Sequence, residues 1–114
     1  MSGFGLSDQT LATLRGILTA YPEIEEAILY GSRAMGNYRK GSDIDLTLVG
    51  AALDDRLLSS IAGRLEDSTI PYHVDLSLKD HIDNPNLLAH IARVGVLFYE
   101  KEAVEAPERA GKSL

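Results

Sequence analysis

Hydrophobic and polar positions follow two different periods along this chain. The helical period occurs in three segments, and each follows a residue that can cap a helix: Ser7, Asp54 or Asp55, and Asn84. The first segment is expected to end near Ala20, because a proline stands two positions further on. Each segment has one apolar stripe and one polar face, so the pattern predicts three helices packed on a common core.

Short apolar runs between these segments have the length and composition of β-strands. They cover residues 27–30, 44–49, 72–78 and 96–99, and a short helix or loop is expected over 33–38. The predicted order is helix, strand, short helix or loop, strand, helix, strand, helix, strand. Alternating elements of this kind predict an α/β fold in which helices cover a small sheet.

The length of 114 residues suits one domain. Residues 1–100 are predicted to form it, and residues 101–114, with little apolar content, are predicted to be a flexible tail. No apolar run reaches the roughly 18 residues of a membrane helix. The first residues lack the pattern of a secretion signal, and the sequence has no cysteine. We therefore expect a cytoplasmic protein that does not enter a membrane.

The formal net charge of −6 bears on whether the protein binds nucleic acid. Proteins that bind long nucleic acids present basic faces that displace counterions from the phosphate backbone, so a polynucleotide partner is not expected. A nucleoside triphosphate can still bind, because Mg²⁺ and a few local cations supply the opposite charge. The charge therefore argues against long nucleic acid as the substrate and leaves small phosphate-bearing anions open.

Candidate chemistry is concentrated in residues 27–49. A strand-like run ends at Gly31, and after a glycine-rich basic loop a second strand carries Asp43 and Asp45 on one face. These carboxylates stand about 7 Å apart along the strand, and beside the loop they suit a hard divalent ion that bridges to phosphates. An Asp-x-Asp pair alone is most often a solvated strand end, and Gly-Ser after a strand is most often a turn. Only their combination points to catalysis.

Loop residues are the candidates for phosphate binding. Gly31 lets a nucleotide approach the backbone closely, and Ser32 offers its hydroxyl and its backbone N–H to a terminal phosphate. The basic loop residues, Arg39 among them, can add positive charge, although any one of them is more often a solvated surface charge. The predicted nucleotide-binding and phosphate-binding set is Gly31, Ser32, Arg33, Lys40 and Ser42.

An apolar strand ending in Gly31-Ser32, then ten residues, then Asp43-Ile44-Asp45, resembles the signature of the polymerase-β-like nucleotidyltransferases. In more detail the chain is similar to the minimal nucleotidyltransferases of bacteria and archaea. Their loop commonly reads Gly-Ser-Arg-Ala-Arg-Gly and their second strand Ser-Asp-Ile-Asp-Leu. Here residues 31–36 read GSRAMG and residues 42–46 read SDIDL. Met35 replaces a residue that is usually basic, which puts one phosphate or surface contact in doubt.

The resemblance implies a mixed, mostly antiparallel twisted sheet with three aspartates clustered on its exposed side. The third is Asp75, on the predicted strand beside the Asp-x-Asp strand; by itself, an aspartate there would most often be a surface residue. By analogy with the family, Asp43, Asp45 and Asp75 are the catalytic residues and the ligands of two Mg²⁺ ions. His73 shares the face of Asp75 and is expected to be solvated or to support the site indirectly.

The implied activity is Mg²⁺-dependent transfer of a nucleoside monophosphate, AMP from ATP, to a hydroxyl acceptor. Larger relatives carry an additional helical domain for the base and the acceptor, so another molecule is expected to complete the site. The minimal members pair with a small helical HEPN protein, an RNase toxin, and act as antitoxins that attach AMP to a toxin tyrosine. A homo-oligomer of this chain is the alternative way to complete the site.

Two other functions are compatible with parts of the sequence. A non-catalytic antitoxin could mask its partner by contact alone, but such a module has no need of three mutually repelling carboxylates. A small-molecule nucleotidyltransferase, for example one acting on aminoglycosides, usually needs an acceptor-binding domain. Nucleotide, acceptor and oligomeric state are not determined by the sequence.

Overall fold

The computed structural model of the protein describes residues 3–102. Its elements are α1 (Asp8–Thr19), β1 (Glu26–Tyr30), α2 (Ser32–Met35), β2 (Ile44–Val49), α3 (Asp55–Glu66), β3 (Val74–Leu78), a 3₁₀ turn (Lys79–His81), α4 (Pro85–Val94) and β4 (Val96–Glu100). The predicted order of elements is confirmed, although β3 begins two residues later than expected. Most of the predicted tail, residues 103–114, lies outside the described residues.

Each of the three long helices begins at a side-chain cap. Ser7 Oγ accepts from the backbone N–H of Thr10 at 3.1 Å, and Asp54 Oδ1 accepts from Leu57 N–H at 2.9 Å. Asn84 Oδ1 accepts two backbone N–H groups at the start of α4, at 2.9 and 3.3 Å. These bonds satisfy donors that the first helical turn leaves without partners. The helix starts are therefore set locally, by the residues that the sequence pattern singles out.

The four strands form one sheet in the order β3-β2-β1-β4. β1 is antiparallel to both β2 and β4, whereas β2 and β3 are parallel. The sheet is thus mixed and mostly antiparallel, as the family resemblance implies. In this register Tyr30 of β1 pairs with Asp45 of β2, and Asp45 pairs with Asp75 of β3. Paired residues direct their side chains to the same face, so these three polar groups share one face of the sheet.

The opposite face of the sheet forms the hydrophobic core. Ile44, Leu46 and Leu48 of β2 are almost completely buried there. They belong to one cluster with buried side chains of α1 and α3: Leu14, Ile17, Leu18, Ile61 and Leu65. Burial of this face fixes the register of β2, because a shift by one residue would place the aspartates in the core. Within residues 3–102, no helix is both long and apolar enough to span a bilayer.

Candidate active site

The three predicted aspartates come from two adjacent parallel strands. Asp45 and Asp75 are register partners on β2 and β3, and Asp43 lies one residue before β2 begins. Asp45 is partly buried, whereas Asp43 and Asp75 are exposed. The structure therefore places all three on or beside the polar face of the sheet, with Asp45 in the middle.

Burial and neighbouring charge act on Asp45 in the same direction. Desolvation of its carboxylate is the larger cause and the negative charges of Asp75 and Asp43 add to it, so the pKa of Asp45 lies above its ordinary value of 3.8. Only a protonated imidazole at His90 or His73 would oppose this shift. The ionised form of Asp45 is consequently held at a free-energy cost, which a bound cation would reduce.

Gly31 forms the turn that brings the loop against Asp45. Its φ of +77° lies in the region that favours glycine, and a Cβ at this position would overlap Asp45 Oδ2. Ser32 follows as the first residue of α2 and is partly buried. The predicted phosphate-binding turn and the central carboxylate are thus in direct contact.

Replacing Gly31 with alanine should therefore impair the site as well as strain the backbone. Gly36→Ala is the matched control, because Gly36 has a similar φ of +86° but no atom within 4 Å of the position that a methyl group would take. Both variants should lose about 1 kcal/mol of unfolding free energy from the left-handed backbone. Only Gly31→Ala should also displace Asp45, and it should lower the nucleotidyl transfer that the sequence predicts by about a hundredfold. Equal activities of the two variants in a transfer assay would contradict a contact between turn and carboxylate.

His90 of α4 also reaches the turn, and the sequence pattern does not single it out. The Gly31 backbone N–H donates to His90 Nε2 at 3.2 Å, and the imidazole meets the Tyr30 ring edge-on at a centroid distance of 6.1 Å. In the sequence His90 is a lone histidine without ligand-spaced partners. The residues that it contacts, Tyr30 and Gly31, are distant along the chain, so the sequence does not reveal the contact. Only the packing of α4 against β1 reveals the contact.

Tyr30 is the aromatic side chain on the polar face. It is 8% exposed, and burial raises the pKa of its hydroxyl. A side-chain hydrogen bond with Ser77 lowers that pKa, while the charges of Asp75 and Asp45 raise it further. The phenol therefore stays protonated beside the carboxylates at neutral pH.

Arg33 is predicted to bind phosphate, which requires an exposed guanidinium, but in the structure its side chain is buried beneath the loop. It is 2% exposed, and its guanidinium donates to Phe4 O at 2.8 Å and to Ser42 O at 2.9 and 3.1 Å. The group also lies over the rings of Tyr72 and Tyr38, at 4.5 and 5.2 Å from their centroids. All three guanidinium nitrogens are engaged by backbone carbonyls, so the side chain acts as an internal brace of the loop.

The remaining predicted loop residues are nearer the surface. Ser42 Oγ accepts from Arg39 N–H at 2.8 Å, which closes the turn just before Asp43. Lys40 lies exposed in that turn, and Met35 is 47% exposed at the end of α2. Ser42 therefore helps to position the start of β2, and Lys40 stays a predicted phosphate contact.

The donor set fits Mg²⁺ in its chemistry and its charge. Carboxylate oxygens are preferred ligands of this ion. Burial, and after it the negative charges of Asp75 and Asp43, raise the pKa of Asp45, and a bound cation would favour its ionised form. Within residues 3–102, no three acidic or histidine side chains are already gathered around one point that could hold an ion. Ion binding would thus bring the exposed Asp43 and Asp75 side chains towards Asp45.

Comparison with known proteins adds a family and a fold. The model of a family described as polymerase beta, nucleotidyltransferase matches residues 12–103. Among curated proteins, none matches the sequence. A solved toxin-antitoxin structure with AMP-PNP is similar with a TM-score of 0.64 and 21% identity, over 92% of this chain and 87% of the matched chain.

Two further solved structures share the fold. One is a tri-AMPylated HEPN toxin of Shewanella oneidensis in complex with an MNT antitoxin, with a TM-score of 0.63, 18% identity and coverage of 92% of this chain and 79% of the other. The second is the toxin-antitoxin MntA-HepT, with a TM-score of 0.62, 20% identity and coverage of 83% and 74%. At these identities the likeness shows the fold.

Proposed function

Because the chain belongs to the polymerase-β nucleotidyltransferase family, we propose that it transfers AMP from ATP to a tyrosine hydroxyl of a HEPN-type partner. In this reaction the acceptor oxygen forms a bond to the α-phosphorus, and the bond from that phosphorus to the oxygen bridging to the β-phosphate breaks. Pyrophosphate leaves with the electron pair of that bond, and the hydroxyl proton passes to solvent. A toxin modified in this way would lose its activity, so the chain acts as an antitoxin.

The observation that carries this proposal is the pairing of Asp45 with Asp75 beside the Gly31–Ser32 turn. The parallel register places both carboxylates on one face, and the absence of a side chain at Gly31 lets Asp45 Oδ2 approach the turn. A triphosphate needs hydrogen-bond donors on one side and carboxylates that hold a cation on the other. Here the Gly31–Ser32 turn, which offers the donors, lies next to the carboxylate of Asp45.

Asp43, Asp45 and Asp75 would hold two Mg²⁺ ions. When bound, such ions neutralise charge on the triphosphate and favour ionisation of an acceptor hydroxyl. The carboxylates lie between two approaches to the site: the acceptor hydroxyl would enter beside Asp75, and ATP would enter beside the Gly31–Ser32 turn. Since β3 is an edge strand and Asp75 is exposed on it, the acceptor would approach from that side.

The phosphates would lie on the other side of Asp45. Ser32 would donate its hydroxyl and backbone N–H to the terminal phosphates, with Lys40 as an exposed cation of the same loop. Ser42 and the buried Arg33 would keep the loop and the start of β2 in place. Together they orient the α-phosphorus towards the acceptor side, where in-line attack can occur.

The choice of acceptor draws on the similar solved structures, which are toxin-antitoxin complexes. One contains a toxin that carries three AMP groups together with its MNT antitoxin. Another contains AMP-PNP. These support ATP as the nucleotide and a HEPN-type protein as the acceptor.

Mass spectrometry of a reconstituted reaction tests this function. The protein is incubated with ATP, Mg²⁺, a candidate HEPN-type partner and an aminoglycoside as a small hydroxyl compound, with EDTA in a parallel sample. We expect the partner to gain one or more AMP units at tyrosine, and EDTA to prevent the gain. Inhibition of the partner without any mass gain would instead support masking by contact, and AMP transfer only to a small hydroxyl compound would support a small-molecule nucleotidyltransferase.

A further inference from the structure

His90 is the one side chain of α4 that forms a hydrogen bond to the Gly31–Ser32 turn in the described part of the chain. Its Nε2 accepts from Gly31 N–H at 3.2 Å. The ring is partly buried and lies edge-on to Tyr30, which is itself 8% exposed. Two contacts on different atoms thus fix the imidazole, one polar and one aromatic.

This geometry sets the form of the imidazole. Nε2 can accept the Gly31 N–H only when it carries no proton, so the neutral ring bears its proton on Nδ1. Because Nε2 is occupied by Gly31, the same nitrogen cannot serve as a ligand for a cation or as a proton acceptor for substrate. Through Nε2 the ring therefore binds the protein backbone and not a cation or the substrate.

We propose that His90 is a positioning residue for nucleotidyl transfer, an inference that rests on the proposed function. Its bond to Gly31 ties the phosphate-binding turn to α4, which is remote in sequence. Gly31 has a φ of +77° and Asp45 Oδ2 lies close to its α-carbon, while its carbonyl accepts from Met35 N–H at 3.1 Å within the loop itself. When His90 holds the Gly31 amide, the distance between Ser32 and Asp45 stays constant. That distance would set how the α-phosphorus of ATP is aligned with the acceptor.

The loss of this bond should affect alignment more than binding. A triphosphate has many contacts, so a looser turn still binds it, but fewer bound molecules have the geometry for in-line attack. Removal of one hydrogen bond of this kind is expected to lower kcat about tenfold. KM for ATP should change less than about threefold.

Two substitutions separate the hydrogen bond from packing. His90→Phe keeps a ring against Tyr30 but has no acceptor, whereas His90→Gln can place its amide oxygen near the position of Nε2. We expect kcat to fall about tenfold in His90→Phe and to recover to within about threefold of the unmodified protein in His90→Gln. His81→Gln, at an exposed histidine of the 3₁₀ turn, is the control and should not change kcat. Equal kcat values for His90→Phe and the unmodified protein, or equal losses in His90→Phe and His90→Gln, would overturn the proposal.

A second measurement requires no activity. In the nucleotide-free protein at mildly alkaline pH, NMR should detect a scalar coupling between Gly31 ¹⁵N and His90 Nε2. No coupling in the unmodified protein would overturn the inference. If the coupling is present but no acceptor ever gains AMP, the proposed function fails and the bond between α4 and the turn stands.

Discussion

Replacement of Asp45 with asparagine is expected to abolish nucleotidyl transfer and at the same time to raise the melting temperature. The neutral amide removes a charge that burial and the neighbouring Asp75 and Asp43 disfavour. Transfer should fall about a thousandfold or more, because the central carboxylate of the site is lost. The melting temperature should rise by about 2–5 °C. Calorimetry and the AMP-transfer assay on the same sample measure both effects.

The gain in stability should depend on pH in a defined direction. In metal-free buffer the folded-state pKa of Asp45 lies above its ordinary value of 3.8. The folded protein therefore favours the protonated carboxyl of Asp45. The resulting stabilisation is fully present below pH 3.8 and is lost as the pH rises through the raised folded-state pKa. The advantage of Asp45→Asn should be full near neutral pH and should shrink as the pH falls towards 3.8. An advantage that grows on acidification would contradict this account.

Asp43→Asn is the matched control for the Asp45 substitution. Asp43 is exposed, so its replacement should change stability little while transfer is lost. A fully active Asp43→Asn or Asp45→Asn variant would contradict the assignment of these residues to the site.

Replacement of Arg33 with methionine is expected to destabilise the fold by about 2–4 kcal/mol. The variant leaves Phe4 O and Ser42 O without the guanidinium and removes its packing between Tyr72 and Tyr38. Arg33→Lys should recover only part of the loss, because one ammonium cannot reproduce the planar set of donors. Urea unfolding measures these differences.

Lys40→Met is the control for the Arg33 series, since Lys40 is an exposed cation of the same loop. Its unfolding free energy should stay within about 0.5 kcal/mol of the unmodified protein. If Arg33→Met instead unfolds like the unmodified protein and only KM for ATP rises, then Arg33 binds phosphate as the sequence pattern predicts, and the brace has no energetic role.

Local signals predict most of the fold. Ser7, Asp54 and Asn84 mark helix starts because a cap acts on the next few residues, which the sequence displays directly. The predicted start of β3, at Tyr72 instead of Val74, is too early, because composition alone does not show where pairing with β2 begins. The mixed character of the sheet follows from the family resemblance, since apolar alternation does not distinguish strand orientation.

The candidate site is predictable only in part. Spacing predicts Asp43 and Asp45, the family resemblance adds Asp75, and the structure places the three on or beside one face of the sheet. Arg33 is expected at the surface because arginine seldom is buried, and its carbonyl partners at Phe4 and Ser42 are revealed only by tertiary structure. The same holds for His90, whose partner Gly31 is 59 residues away.

In the proposed site, Asp43, Asp45 and Asp75 together hold divalent ions beside the Gly31–Ser32 turn. Paramagnetic broadening of backbone amide signals by Mn²⁺, a substitute for Mg²⁺, measures this directly. We predict broadening centred on residues 43–45 and 75, and its extension to Gly31 and Ser32 when ATP is added. Broadening centred instead on the acidic residues at the far end of the sheet, Asp54, Asp55 and Asp80, would contradict the account.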